Sequence, residues 1–265
     1  PAAGVDYRQK LMSGGAEVEV PLGATALSGG IVYDRTTTPE TGGRTPGQEP
    51  FDALGWRAGV SHDVNAALKL HAGASQRSRF PALRELYSGA ANRFQPNPDL
   101  QPETLLGLEA GITWEAAAGN GGRFVTEVTG FSHDLEDAVV RTTVPNSAPP
   151  PATLFRRVNR DNIVSSGVEL LAGYSFGSGE RVVSIAGDAL LQSITIEDET
   201  AGNARRNAEN NPEQRGSIEL GIPLPLMLRG IANARYTGKQ YCLNGDTGNE
   251  ETLDAKAETD VSLER

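Results

Sequence analysis

Arginines interleaved with aromatic rings are the residues of this chain that most invite a chemical reading. Arg79, Arg84, Tyr87, Arg93 and Phe94 fall in one short stretch, and Arg156 and Arg157 follow later. Guanidinium forks grip carboxylate-like and phosphate-like groups in two-pronged fashion, and aromatic faces hold cations and flat groups. Such a set suits an anionic ligand; it suits an anionic lipid surface or packing among loops equally well. Other chemistries lack their residues. His62, His71 and His133 are scattered, and none stands at a metal-ligand spacing with Cys242. Gly-x-Ser-x-Gly, the P-loop and His-Glu-x-x-His do not occur, so no catalytic residue, cofactor or metal site is expected. "EDETAGN" (Glu197–Asn203) and "NGDTGNEE" (Asn244–Glu251) carry the ligand types of a Ca²⁺ loop, which solvated loop charge explains as well. Cys242 is the single cysteine and allows no internal disulfide.

The elements that must position these arginines read as strands, one after another. In "TLLGLEAGITWE", Leu106, Leu108, Ala110, Ile112 and Trp114 share one face, opposite Gly107, Glu109, Gly111, Thr113 and Glu115. "AALKLHAGASQR" and "GVELLAGYSF" repeat this period of two. Helical spacing appears nowhere over a comparable length. About 11 strands are expected, near 11–20, 24–34, 53–61, 66–79, 103–115, 122–143, 154–176, 180–197, 213–222, 226–239 and 251–264. Short connections (Pro21–Gly23, His62–Asn65, Ala116–Gly122, Gly177–Glu180, Pro223–Pro225) alternate with long polar ones (Asp34–Pro50, Phe80–Pro102, Asp134–Phe155, Asp198–Pro212, Lys239–Glu251). An up-and-down antiparallel sheet then carries all short turns on one edge and all long loops on the other.

Composition agrees with this and excludes other classes. The 265 residues hold 34 acidic and 24 basic side chains, a balance that argues against nucleic-acid binding. Mean hydropathy is −0.36, and no apolar run approaches the roughly 20 residues of a membrane helix. A transmembrane β-barrel remains open, because its strands spread apolar residues over alternate positions. Trp114, Tyr174 and Phe176 near short turns, with Tyr33 and Tyr236 near long loops, fit two interfacial girdles; ordinary strand aromatics are the alternative. A soluble sandwich or solenoid is the rival fold. Charge near mid-strand (Glu109, Glu169, Asp188, Arg229) and strands longer than the globular average favour the barrel. An odd strand count leaves two open edges, which lipid does not tolerate, and "PAAGVDYRQK" has no signal-peptide pattern. The expectation is an all-β piece of a larger barrel, residues 1–265 forming one partial domain.

One stretch breaks the rhythm. "RFPALRELYSGAANRFQPNPDLQPET" (Arg79–Thr104) contains Pro81, Pro96, Pro98 and Pro102, so it is a long shaped loop and not a central strand. Pro81 suits the start of a short helix on which Leu83, Leu86 and Tyr87 share a face, with Gly89 as its stop. The segment resembles the best-marked region of TonB-dependent outer-membrane receptors. Arg79, Pro81, Leu83, Glu85, Leu86 and Tyr87 match its first half, and Asn97, Pro98, Asp99, Leu100, Pro102 and Glu103 its second. "FSHDLEDAVV", "VNRDNIVSSGVELLAGYSF" and "YTGKQY" are similar to later family segments, in family order.

The resemblance implies a 22-stranded barrel filled by an N-terminal plug, of which this chain looks like roughly strands 10 to 20. It implies the Gram-negative outer membrane, contact with its lipid and lipopolysaccharide, a small solute or metal chelate such as a ferric siderophore or cobalamin, and TonB met only through a plug absent here. The motif either contacts ligand or fixes loop to wall. A passive porin-like channel and a surface adhesin are the competing functions.

Overall fold

The structure, a computed structural model, describes residues 6–43, 49–89, 93–146, 153–160, 162–177, 181–198, 204–243 and 250–265. Its strands are β1 (Tyr7–Leu22), β2 (Thr25–Thr41), β3 (Phe51–Asp63), β4 (Leu68–Arg79), β5 (Phe94–Gln95), β6 (Glu103–Ala118), β7 (Gly122–Glu136), β8 (Val139–Pro145), β9 (Thr153–Asn159), β10 (Asn162–Phe176), β11 (Val183–Asp198), β12 (Ala204–Asn207), β13 (Gln214–Leu224), β14 (Leu228–Thr237), β15 (Gln240–Leu243), β16 (Glu250–Leu253) and β17 (Lys256–Glu264), with one short helix, α1 (Leu83–Tyr87).

Eleven long strands form one sheet in the order β1-β2-β3-β4-β6-β7-β10-β11-β13-β14-β17, all antiparallel, with β12 added beside β11. Sequence neighbours pair throughout, the up-and-down pattern that alternate connections require. The chain reverses tightly after Leu22, Asp63, Ala118, Phe176 and Leu224, and travels far after Thr41, Arg79, Glu136, Asp198 and Thr237. All tight reversals therefore share one edge, and all long excursions the other. Among the described residues β1 and β17 each pair on one side only.

Register sorts every side chain onto one of two faces. Ala74, Leu108 and Ser132 are direct neighbours, as are Leu70, Ile112 and Val128. The row continues to Leu170 and Ala189. This apolar face is exposed: Leu108, Ile112, Val168, Leu170, Ile218, Leu220 and Ile222 all lie open in the isolated chain. Trp114, Tyr174, Phe176, Tyr33 and Tyr236 share it, and Phe124 joins Trp114 at a ring separation of 5.2 Å. The opposite face carries Glu17, Arg57, His71, Glu109, His133, Glu169 and Asp188. Arg57 pairs there with Glu17, and Asp188 accepts the Ser217 hydroxyl. Arg229 shares this polar face but stands beside the β13–β14 turn, not in mid-strand.

The strands expected at 11–20 and 24–34 run further, as β1 and β2, because their pairing continues to Tyr7↔Thr41 inside the connection expected at Asp34–Pro50. Four other expected strands divide or start later, each for a local reason. The strands expected at 122–143 and 154–176 are each two. Asp137 takes a left-handed φ of 54° after β7, its carbonyl accepts the Asn159 amide at 2.8 Å, and the Arg160 N–H closes on Ala138 at 3.1 Å. The β8–β9 hairpin thereby leaves the wall and pairs with β5 as a separate sheet above it. The strand expected at 226–239 starts at Leu228, because Leu226 and Met227 adopt left-handed φ of 65° and 57° in the turn, a region that bulky residues seldom enter. The last strand, expected at 251–264, divides into β16 and β17. Residues 199–203 and 244–249, the centres of both acidic stretches, lie outside the described residues.

The two faces predict opposite tolerance to charge. Leu108→Arg is expected to destabilise the barrel refolded into lipid by about 2–4 kcal/mol, as lipid-facing arginine does near the midplane. Glu109→Arg, one residue along on the polar face, is expected to cost far less. Equal losses in denaturant titrations of both variants would overturn the assignment of the apolar face to lipid.

Candidate functional site

The motif segment forms a small folded unit at the long-loop edge. Pro81 precedes α1 and Ala82 caps it with extended φ and ψ of −78° and 156°. Alanine has no side-chain oxygen for the exposed helix amides, so Glu85 supplies half of a capping box by accepting the Ala82 N–H at 2.8 Å. Leu86 and Tyr87 turn to the same side and bury against Leu100, with Leu83 and Val139 packed around them. The Asn97 N–H binds the Leu86 carbonyl at 2.8 Å. The two halves of the motif thus close on each other around an apolar centre.

Ion pairs tie this unit to the wall. Arg79, the last residue of β4, donates to Glu103, the first of β6, and to Glu85 at 2.8 Å. Glu103 is buried and also accepts the Val139 N–H at 2.6 Å. One carboxylate therefore joins the ends of β4, β6 and β8. On the far side, α1 reaches β1: Gln9 donates to the Pro81 carbonyl at 2.8 Å, and the Tyr7 and Tyr87 rings stand 5.5 Å apart. Since β2 and β3 lie between β1 and β4 in the sheet, the segment crosses over the polar face.

The second half binds the β8–β9 hairpin. Asn97 is buried, donates to the Arg157 carbonyl at 2.7 Å and accepts from Arg156 at 3.0 Å. The Gln101 N–H donates to Asn159 at 2.7 Å, and Asn159 returns a bond to the Gln101 carbonyl at 2.9 Å. Pro98 and Asp99 form the turn between them, and Pro102 leads into β6. The Phe94 and Phe155 rings meet at 5.5 Å, tilted by 47°, with Arg157 over the Phe94 ring at 4.8 Å and Arg141 over the Phe155 ring at 4.6 Å. The result is a guanidinium–ring–ring–guanidinium series.

The seven ligand candidates therefore divide. Tyr87 is buried; Arg79 and Arg156 hold the loop; Arg157 stacks on Phe94 and donates to the Arg84 carbonyl at 3.2 Å. Arg84 and Arg93 present exposed side chains, and Phe94 is half exposed. Arg141 was not among the candidates, although its guanidinium stands on an aromatic face like that of Arg157. Its neighbours in sequence are plain strand residues, so only the fold reveals the stack. Among the described residues no His, Cys, Asp and Glu side chains group as a metal site. Cys242 is half-buried and free.

Glu85 gives the loop a pH dependence. Burial works to raise its carboxyl pKa, but the Arg79 hydrogen bonds, the Ala82 N–H and the charges of Arg79 and Arg157 outweigh it and hold the group below the usual carboxylate value. A depressed folded-state pKa adds stability above the unfolded value, and that stability is lost as pH falls through the folded one. Protection of the 80–102 loop from protease is expected to hold at neutral and mildly acidic pH and to fall below the ordinary glutamate range, near 4. Glu85→Gln should remove that acid step; an unchanged step in the variant would exclude Glu85 as its origin.

A family model described as TonB dependent receptor-like, beta-barrel, matches residues 4–264. The chain is 27% identical over 194 residues to the iron-regulated outer membrane virulence protein of Vibrio cholerae serotype O1 (strain O395), covering 68% of this chain and 28% of that protein. The FrpB iron transporter from Neisseria meningitidis (F3-3 variant) superposes with a TM-score of 0.70 at 18% identity, over 99% of this chain and 39% of that one. The pyoverdine outer membrane receptor FpvA from Pseudomonas aeruginosa PAO1, bound to pyoverdine, gives 0.70 at 15% identity, over 99% of this chain and 36% of that one. These structures share the fold, and the chain spans well under half the length of each relative. With nearly its whole length matched, the chain belongs to the TonB-dependent receptor β-barrel family of the Gram-negative outer membrane.

Proposed function

We propose that this chain is part of the wall and mouth of a receptor that imports a scarce anionic solute, a ferric siderophore or comparable iron chelate. The observation that carries the reading is the motif unit crossing the polar face from β4 to β1 while leaving Arg84 and Arg93 exposed. A unit anchored this way narrows the mouth and holds cations over it. The iron-related names of the matched relatives support the choice of solute; cobalamin is the alternative cargo.

In this reading the apolar face lies against lipid and the polar face lines the path of the solute. The long-loop edge is extracellular, in reach of lipopolysaccharide. TonB acts through a plug segment that is not among these strands, and the chain performs no bond-making chemistry. A passive channel would need no such anchored unit across its opening, which favours the gated receptor.

Impermeant thiol labelling tests the topology. In a Cys242→Ser background, Glu49→Cys and Asp99→Cys are expected to label on intact cells. Val64→Cys and Leu226→Cys, at the short-turn edge, should label only after the outer membrane is opened. The reverse pattern would invert the barrel.

Ligand capture has its own test. Replacing both Arg84 and Arg93 by Ala is expected to weaken cell-surface binding of a radiolabelled anionic ferric siderophore by about 1–3 kcal/mol, the range of charge-assisted hydrogen bonds. Barrel assembly, followed by mobility on unheated gels, should be unaffected, since neither side chain ties the loop to another of the described residues. Unchanged binding would leave the motif unit a purely structural role.

A further inference from the structure

An apolar row interrupts the polar face at the mouth. Leu105 of β6 pairs with Leu135 of β7, Leu135 with Ile163 of β10, and Ile163 with Ile196 of β11. Glu109, His133, Glu169 and Asp188 occupy the same face further along these strands, so the row breaks the expected alternation of polar-in and apolar-out. Ile194 stands beside it in the next row. These side chains are not consumed by packing: Leu105 is 39% exposed, and Leu135, Ile163, Ile194 and Ile196 are all partly open.

They line a half-open cleft of about 510 Å³, together with Val140 and Arg141 of β8 and Ala208, Glu209 and Asn211 of the β11–β13 connection. His133 and Ser165 complete the wall. Small-molecule sites have this size and make-up: a mostly apolar lining with a few placed polar groups. The rim carries one guanidinium, Arg141, and one carboxylate, Glu209. Arg141 is exposed, sits directly opposite Arg157 in the β8–β9 pairing, and enters no ion pair among the described residues. Glu209 is held by its backbone, which bridges to Tyr241.

We infer that this cleft is a binding site for an amphiphilic anion, with a ring-sized apolar body on the Leu105–Leu135–Ile163–Ile196 row and a carboxylate or similar group on Arg141. The inference rests on the reading of the chain as a solute receptor, and it adds a substrate class: solutes with a substantial apolar body, not compact hydrophilic anions.

The test uses the receptor carrying this chain, in lipid nanodiscs, with equilibrium dialysis of 2-naphthoate, 2-naphthalenemethanol and inorganic phosphate against empty discs. Naphthoate is expected to bind saturably, the neutral alcohol about tenfold more weakly, as loss of one charge-assisted bond implies. Phosphate should not displace naphthoate. Arg141→Gln should weaken naphthoate about tenfold and leave the alcohol unchanged, while Ile163→Thr should weaken both, with unheated-gel mobility confirming assembly. No saturable binding, equal displacement by phosphate, or naphthoate affinity indifferent to Arg141→Gln would each overturn the inference. Uptake of radiolabelled ferric siderophore by iron-starved cells, measured in parallel, separates the two claims. Uptake without naphthoate binding sinks this site alone; no receptor-dependent uptake of any iron chelate sinks the receptor reading.

Discussion

A strand that crosses hydrocarbon can place its N–H and C=O groups only on its two neighbours, because lipid offers no partner. Most of the structure follows from that demand. β10 and β11 pair without interruption from Asn162↔Glu197 to Phe176↔Val183, and β6 and β7 from Thr104↔Glu136 to Ala118↔Gly122. An unbroken ladder forces alternation, and alternation forces two faces of opposite chemistry. Crowding on the inward side is then met by removing side chains. A Cβ at Gly111 would stand 2.7 Å from the His71 ring, so the glycine is what lets an imidazole project across its neighbour's backbone without breaking the register.

The same demand relaxes at the long-loop edge, and irregular backbone collects there. The motif prolines, the left-handed Asp137 and the β8–β9 hairpin all lie above the paired wall. What replaces the ladder is a set of side-chain bonds to backbone: Glu103 to the Val139 N–H, Asn97 to the Arg157 carbonyl, Asn159 to the Gln101 and Asp137 carbonyls. Burying a carboxylate such as Glu103 is costly unless it is paired and fully hydrogen-bonded. Arg79 meets that condition and in turn fixes Glu85. The acidic and amide residues of the motif are therefore joints of the loop, which leaves recognition to the residues they hold still.

How much of this the sequence disclosed depends on the range over which each feature is encoded. The faces of β6 and β10 are written in residues two apart, so Leu108 and Glu109 could be assigned at sight. The helix at Leu83–Tyr87 was legible from the i,i+3 and i,i+4 spacing of its apolar residues, together with Pro81 before it. The division of 122–143 is signalled only by Glu136 and Asp137, two acids in succession where the chain turns, and a strand-like pattern resumes directly after them. Arg141 looked like an ordinary strand residue for that reason. The apolar row was invisible for a different one. Leu105, Leu135, Ile163 and Ile196 belong to strands far apart in sequence, and their alignment exists only once register is set.

That distinction bears on how such a mouth is built. Residues that fix the loop must satisfy several partners at once, so their types and spacing are tightly constrained and stand out in the sequence. Residues that meet a solute need only lie on a surface already fixed, and a leucine or isoleucine at an inward strand end serves without any local pattern. Arg79, Glu85, Asn97 and Glu103 of the motif therefore mark the frame. The apolar row beside it, lined also by Arg141, is written only in pairings across strands, where one side chain can change and leave the ladder beneath it intact.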